Sequence, residues 1–530
     1  MFAAVWFAGC SGGKSANALN GDNHMLRIGN GAEPQQLDPH TTTGVPEHRI
    51  ASTLFEGLAS IDPSDLRPVP AVAERWAVSD DGLVYSFTIR DAAAWSNGDP
   101  VTAEDFVYSW QRILSPGLAS EYAYMLYCIK NAKAFNEGAL TDFTQVGAKA
   151  LDARTLEVTL ERPTPYFLSM QVHNAWYPIH RATIERFGRI DERATKWTQP
   201  GNLVGNGPFM LERWDPSELI RVVKNSRYWD SDNVRLAAVE FRPIDDQLTE
   251  ERSFRTGELH ATESVPLSKI DVYKRDNPGV LHIDPYLGTY VYRFNVTRPP
   301  FDNVLVRRAF AMAIDREKLV SHVLKGGQLP APHFTPPNTA GYTCAASIPY
   351  DPAAGRDLLA RAGYPGGAGL PPVELLYNTS ENHKLIAEAV QQMWKADLNV
   401  QVSLVNQDWK VYLDSMNALD YQIARSGWIA DYVDPNNFLE CFLSGNGNNR
   451  TGYGSDAYDA LIEKAGRTLD PQARFAVFQE AERLLLDDCP LAPVYFYTRI
   501  YLKSPDVVGW QPNILGFIPF KRLDIQPAAK

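Results

Sequence analysis

Val373-Glu374-Leu375-Leu376-Tyr377 is followed by a stretch over 383–398 and then by Val400-Gln401-Val402-Ser403-Leu404. The outer pieces read as short strands and the middle one as a helix. Two strands joined by a crossover helix within roughly thirty residues predict a parallel sheet, and so an α/β fold, in the C-terminal half.

Working outward from that unit, helical and strand patterns continue to alternate. Towards the C-terminus, 455–468 and 471–486 read as amphipathic helices and 493–501 as a β-rich segment. Upstream, 303–324 carries apolar residues at helical spacing, with Asp315 and Arg316 opening a second segment. Leu156-Glu157-Val158-Thr159-Leu160 and Tyr85-Ser86-Phe87-Thr88-Ile89-Arg90 alternate as half-buried strands do. Residues 100–112 read as a helix with Thr102 as N-cap and Asp105 three residues on, in the manner of a capping box. Met25–Gly29 reads as a strand, and 50–57 as helical turns closing on Gly57. No fixed-period repeat or heptad run interrupts this order. At 530 residues the chain exceeds the roughly 250–300 that one core supports, so several lobes are expected, discontinuous in sequence.

Composition removes several function classes. A formal charge of −12 disfavours nucleic acid, which needs a basic face. No 20-residue apolar run is present to span a membrane. HExxH, a GxGxxG at a strand–helix junction and CxxC are all absent. Gly9-Cys10-Ser11-Gly12-Gly13 matches GxSxG, and Gly13-Lys14-Ser15 ends like a phosphate loop, but neither has a strand before it and a helix after it. Gly445-Asn446-Gly447-Asn448-Asn449-Arg450 reads as a polar turn, and the pairs Asp80-Asp81 and Asp245-Asp246 as turn and surface residues. No metal or cofactor is implied, and no enzyme is expected. An exported hydrolase with two carboxylates meeting only in three dimensions stands as the rival class.

Residues 1–9 are nearly all apolar, and a polar run follows Cys10. Phe7-Ala8-Gly9-Cys10 resembles a bacterial lipobox, which implies a signal and tether over 1–24 with Cys10 lipidated. Export permits disulfides, but Cys128, Cys344, Cys441 and Cys489 allow three pairings and their spacing does not choose among them.

An ordered set of short stretches carries a more specific signal. It begins with Leu37-Asp38-Pro39-His40, Trp95-Ser96-Asn97-Gly98 and Phe106-Val107-Tyr108-Ser109-Trp110-Gln111-Arg112. Asp284-Pro285-Tyr286-Leu287, Asn406-Gln407-Asp408-Trp409-Lys410 and Ala424-Arg425-Ser426-Gly427-Trp428-Ile429-Ala430-Asp431-Tyr432 follow. From about residue 25 to the C-terminus this order and spacing resemble the periplasmic oligopeptide-binding proteins of bacterial ABC importers, in the peptide/nickel solute-binding family 5.

The resemblance implies a two-lobed periplasmic-binding-protein fold of α/β class with an additional third domain (cluster C type), closing by hinge-bending. It implies lobe I over 25–59, 186–287 and 499–530, the additional domain over 60–185 and lobe III over 288–498. It further implies short peptides as ligands, enclosed between lobes and paired through their backbones. An inner-membrane permease and its ATPase subunits are the implied partners of a monomer that meets the membrane only through a lipid anchor. In this family an aspartate at the position of Asp431 holds the peptide α-ammonium. Arg425, Trp409, Trp428, Glu47, Tyr122, Tyr286 and His383 match positions at or near the cleft. Three departures bear on the ligand. A family disulfide is replaced by Gly288 and Ile429, two basic residues that meet the peptide carboxylate are Leu324 and Met416, and a strand glutamate is Arg293. Either the ligand differs from the usual short peptides, or Arg293 takes over the carboxylate. Murein tripeptide, an opine or a metal chelate are alternative solutes, and a holdase for unfolded chains is a further rival.

Overall fold

The computed structural model describes residues 24–526, so Cys10 lies outside the described residues. Strand β1 (Met25–Gly29) opens the chain, followed by helix α1 (Val45–Leu54), β2 (Ala73–Val78) and β3 (Val84–Ile89). Helix α2 (Ala103–Leu114), β4 (Ala148–Ala150) and β5 (Thr155–Thr159) come next. Then follow β6 (Phe209–Asp215), β7 (Leu219–Lys224), β8 (Ala238–Arg242), the 14-residue β9 (Leu281–Phe294) and β10 (Leu329–Pro330). The C-terminal part holds β11 (Val373–Asn378), α3 (Glu381–Leu398), β12 (Val402–Gln407), α4 (Trp409–Asn417), β13 (Ile423–Ile429) and β14 (Leu491–Leu502).

Three larger sheets result, ordered β1-β8-β7-β6, β2-β3-β5-β4 and β10-β14-β9-β13-β11-β12. In β3, Tyr85, Phe87 and Ile89 alternate inward and bury against α2, whose Phe106, Trp110 and Ile113 share the same core. The predicted capping box closes α2, with the Thr102 N–H donating to Asp105 Oδ2 at 2.8 Å. One apolar core runs through the second and third sheets, and a separate one packs around the first.

The β–α–β unit forms as read. Residues Val373 to Asn378 pair in parallel with Val402 to Gln407. Ser380 caps α3, Asn399 ends it at φ 56°, and Ile386, Val390, Trp394 and Leu398 bury one face at a four-residue spacing. The wider expectation of a parallel sheet needs correction. β11 is parallel to both β12 and β13, but β9 and β14 pair antiparallel beside them, so the six-stranded sheet is mixed. The 303–324 run divides at Asp315 and Arg316, as read. An Asn303-capped helix covers Val304–Met312, Asp315 starts a second turn by accepting from the Lys318 N–H at 3.0 Å, and Leu319–Leu324 winds more widely. Cys128, Cys344, Cys441 and Cys489 are buried free thiols, so none of the three open pairings forms.

The Leu37-Asp38-Pro39-His40 and Phe106–Arg112 stretches meet inside the protein. Arg112, fully buried on α2, donates to Asp38 through Nη1 at 2.9 Å and Nη2 at 2.5 Å. Among the described residues, no helix is long and apolar enough to cross a membrane.

Candidate functional site

The site is built on an incompletely paired strand. β9 flanks β13 along its length, from Gly288 opposite Ile429 to Phe294 opposite Ile423. On the other side, β11 pairs with β13 only at Ile423 and Ala424. From Arg425 to Ile429 that edge has no neighbouring strand among the described residues, and it lies in the wall of a cavity of about 440 Å³. This volume is within the range of small-ligand sites. The Tyr412 hydroxyl donates to Arg425 O, while the Ala430 N–H turns the other way onto Leu287 O at 2.8 Å. Strand alternation then directs the backbone groups of Arg425, Gly427 and Ile429 to the open edge. A Cβ on Gly427 would sit 2.6 Å from the Tyr497 hydroxyl, so glycine is what lets Tyr497 pack this close to the strand. An exposed strand edge is a template for another extended chain, and the cavity restricts that chain to a short one.

Asp431 stands two residues beyond the end of this edge. Its N–H donates to Asn437 Oδ1 at 3.1 Å, and Asn437 Nδ2 donates back to Asp431 Oδ2 at 3.4 Å. Asn437 Oδ1 also accepts from Trp428 Nε1 at 3.0 Å, so one buried amide braces both residues. His173 Nε2 is 3.4 Å from Asp431 Oδ1. His173 Nδ1 accepts from the Ala175 N–H at 3.2 Å, which assigns the ring proton to Nε2, facing Asp431. Burial, and then His48, hold the His173 pKa well below its usual range, so this donor is neutral. Burial pushes Asp431 up to about 7, against which the Asn437 hydrogen bond acts. The result is a carboxyl group on a cavity wall, desolvated and, among the described residues, without a charged partner.

Arg425, Trp409, Trp428, Tyr122, Tyr286, His383 and Arg293 all line the same cavity as Asp431. The Arg425 guanidinium donates to Asn378 Oδ1 at 3.1 Å and to the Tyr497 hydroxyl at 2.9 Å, and lies 4.9 Å over the Tyr290 ring. Tyr122 packs between His173, at a ring distance of 4.4 Å, and Trp428, at 6.5 Å. His383 is not the cap of its helix. Ser380 is, and the His383 Nδ1 is buried without a partner, its pKa held well down by burial and then Arg425. Tyr286 meets Tyr497 edge-on at 6.2 Å.

Glu47 is placed differently from its sequence neighbours. It is buried behind the lining, where Oε1 accepts from the Gln35 N–H at 2.8 Å and from Trp409 Nε1 at 3.1 Å. It therefore orients Trp409 from behind. Gly44 makes this possible, since a Cβ there would fall 2.1 Å from Glu47 Oε2 and 2.8 Å from Trp409 Cζ2. Leu324 lines the cavity, whereas Met416 packs with Tyr412 and Leu413 in a small apolar cluster.

Sequence reasoning missed His173, Asn437 and Arg450. Asn437 follows Asp434-Pro435, and Arg450 ends the 445–450 stretch read as a polar turn; neither position carries a periodic signal.

Residues 67–450 match the model of the bacterial extracellular solute-binding proteins, family 5 Middle. The chain is 40% identical over 498 residues to the periplasmic oligopeptide-binding protein OppA of Escherichia coli (strain K12), spanning 92% of this chain and 90% of that protein. Among solved structures it is similar to the Escherichia coli murein tripeptide binding protein MppA, with a TM-score of 0.90 at 37% identity, covering 95% of this chain and 98% of that one. Against the unliganded open form of MppA the TM-score is 0.63, again at 37% identity, covering 95% of this chain and 97% of that one. Equal identity with so different a score is a difference of shape, and the cleft here does not have the arrangement of that open form.

Proposed function

The chain belongs to family 5 of the bacterial extracellular solute-binding proteins, with their two-lobed α/β fold and additional domain, and on that premise we propose that it captures short peptides for an ABC importer. The carrying observation is the open edge of β13 leading to Asp431. A peptide laid along Arg425, Gly427 and Ile429 gains main-chain hydrogen bonds that every sequence can make. Its α-ammonium gives the buried Asp431 carboxylate the cation it lacks, in a setting where the Coulomb attraction is strengthened by the lowered dielectric. Asn437 holds that carboxylate in position, and the neutral His173 beside it does not neutralise it.

The same reading assigns the cargo to an inner-membrane permease with its ATPase subunits, and gives the protein no chemistry of its own. It divides the chain into lobe I (25–59, 186–287, 499–530), the additional domain (60–185) and lobe III (288–498). In its support, β1 and β6–β8 fall in the first, β2–β5 in the second and β10–β13 in the third. β9 and β14 cross between the first and third as an antiparallel pair, a suitable hinge. The same reading has a lipidated Cys10 tether the monomer to the membrane. Murein tripeptide is the second ligand considered, since MppA is similar over nearly the whole chain and such a peptide keeps a free α-amine.

Calorimetric titration of refolded, ligand-free protein with trialanine and N-acetyl-trialanine tests the proposal. Binding of trialanine that is lost on acetylation is the expected result. Failure of both peptides to bind overturns the short-peptide reading.

A further inference from the structure

Among the described residues, four arginines in the cavity wall have no acid: Arg425, which donates to Asn378 and to the Tyr497 hydroxyl, Arg499, which donates to Gly516 O, and the pair Arg293 and Arg450. Arg293, on β9, is 3% exposed, donates through Nη1 to Asn448 O at 2.8 Å, and leaves its buried Nε without a partner. Arg450 donates through Nη2 to Thr43 Oγ1 at 3.1 Å, and its buried Nε is likewise unpartnered. Both line the cavity, and among the described residues no ion pair reaches either. Burial, and then Arg293, hold the Arg450 guanidinium below its usual range; Glu121 acts the other way but is itself paired with Arg193 at 3.4 Å.

Other buried arginines have either an acid or two or more acceptors, as Arg425 does. Arg112 has Asp38 and Arg474 has Asp434. Arg307 and Arg316 have no acid but are turned onto backbone carbonyls, Arg316 through Nε, Nη1 and Nη2 together. Two mutually repelling guanidiniums with unmet donors are costly in a folded protein unless an anion joins them. Their placement limits where that anion sits. Strand alternation puts Arg293, opposite Ala424, on the face of the sheet that carries Ser426 and Trp428. Tyr122, which packs against Trp428, feels both Asp431 and Arg450.

We infer that Arg293 and Arg450 form an anion subsite that takes the side-chain carboxylate of an acidic residue near the amino end of the bound peptide. This rests on the peptide-binding reading above. It makes the protein selective for acidic peptides at one position, while the β13 edge stays indifferent to sequence. Guanidinium–carboxylate hydrogen bonds supply the selectivity, because an uncharged amide of the same shape leaves the two cations unneutralised.

The test uses C-terminally amidated tripeptides, which remove the terminal carboxylate as a competing source of the anion. Alanine peptides carrying Glu or Gln at the first, second or third position are titrated calorimetrically. At the first or second position, Glu is expected to bind about tenfold more tightly than Gln or better, the scale of charge-assisted hydrogen bonds. Arg293→Gln and Arg450→Gln should each collapse that ratio towards one. The ratio in the unaltered protein carries the test even where a variant does not fold. Equal affinities of Glu and Gln peptides at every position overturn the subsite while leaving the peptide reading intact. A dependence of the arginines on a free C-terminus alone assigns them to the terminal carboxylate and also overturns it. If none of these peptides nor trialanine binds, the peptide reading falls and the subsite with it.

Discussion

His173 places a neutral imidazole with Nε2 3.4 Å from Asp431 Oδ1. Asn437 orients the carboxylate, and the uncharged ring leaves its charge for a ligand. Asp431→Asn keeps the shape and the Asn437 contacts but removes the charge. Peptides with a free α-amine should lose about 2–5 kcal/mol of binding, the usual cost of truncating a desolvated charge pair. N-acetylated peptides, already weak, should change little. Calorimetry on both peptide forms decides, and an equal loss for both would show that the carboxylate serves structure alone.

The same burial makes ligand-free closure depend on pH. Asp431 is pushed from 3.8 to about 7 by the shut cavity. A raised carboxyl pKa means that the empty closed state holds a proton which an open, solvated Asp431 gives up. Closure without ligand is therefore favoured below the ordinary pKa and loses that advantage as pH rises through about 7. Small-angle scattering of ligand-free protein should show the radius of gyration growing from pH 5 to 7.5. In Asp431→Asn this change should be absent.

Asn437 binds Trp428 and Asp431 with one amide. Asn437→Leu leaves the buried Trp428 Nε1 and the Asp431 N–H without acceptors, at about 1–3 kcal/mol for each such group. Both the melting temperature and peptide affinity should fall. Unchanged affinity in a destabilised variant would limit Asn437 to a structural role.

Asp38 lies in a stretch shared with the family but outside the cavity lining. Burial alone would raise its pKa, yet Arg112 holds it below the usual value. Its contribution is thus present above the ordinary carboxylate pKa and lost as pH falls through the depressed one. Asp38→Asn should cost about 3–5 kcal/mol by leaving Arg112 uncompensated. Thermal melts at pH 7 and pH 3 check this, since the variant should lose less on acidification than the parent.

Gly288 and Ile429 are opposite partners on β9 and β13, and a Cβ on Gly288 would fall 2.4 Å from Ile429 Cδ1. The isoleucine fills the space above the glycine, at the two positions where the resemblance implies a disulfide. Converting both to cysteine removes the Ile429 contact but leaves a Cβ at 288 at 2.7 Å from Trp428 O, so the bridge should stabilise the protein by less than the usual ~2–4 kcal/mol. Differential scanning calorimetry with and without reductant measures the gain, and absence of a reductant-sensitive shift would show that the strand register does not admit the bond.

Much of the site could be read before the fold was known, for a physical reason. Asp431, Trp428 and Arg425 lie within one seven-residue run that carries the family resemblance, so a short local motif names them together. The resemblance puts Glu47 in a segment that lines the cleft in relatives; only packing shows it turned back to hold Trp409. His173 and Arg450 are far from Asp431 along the chain and sit in irregular segments without periodicity. Nothing local marks them.

Alternating apolar residues, a capping box at Thr102 and the order 373–404 determined the elements and the α/β class, because helix and strand periods are properties of neighbouring residues. What no local pattern encodes is how strands from distant segments come together. Placing β9 and β14 antiparallel beside a parallel unit, and ending β11's pairing at Ala424, left the edge of β13 open. Whether a carboxylate there meets a cation or a neutral imidazole depends on a contact across a sequence separation of 258, from His173 to Asp431. Burial and Coulomb energy act through space, and that part of the site exists only in the folded chain.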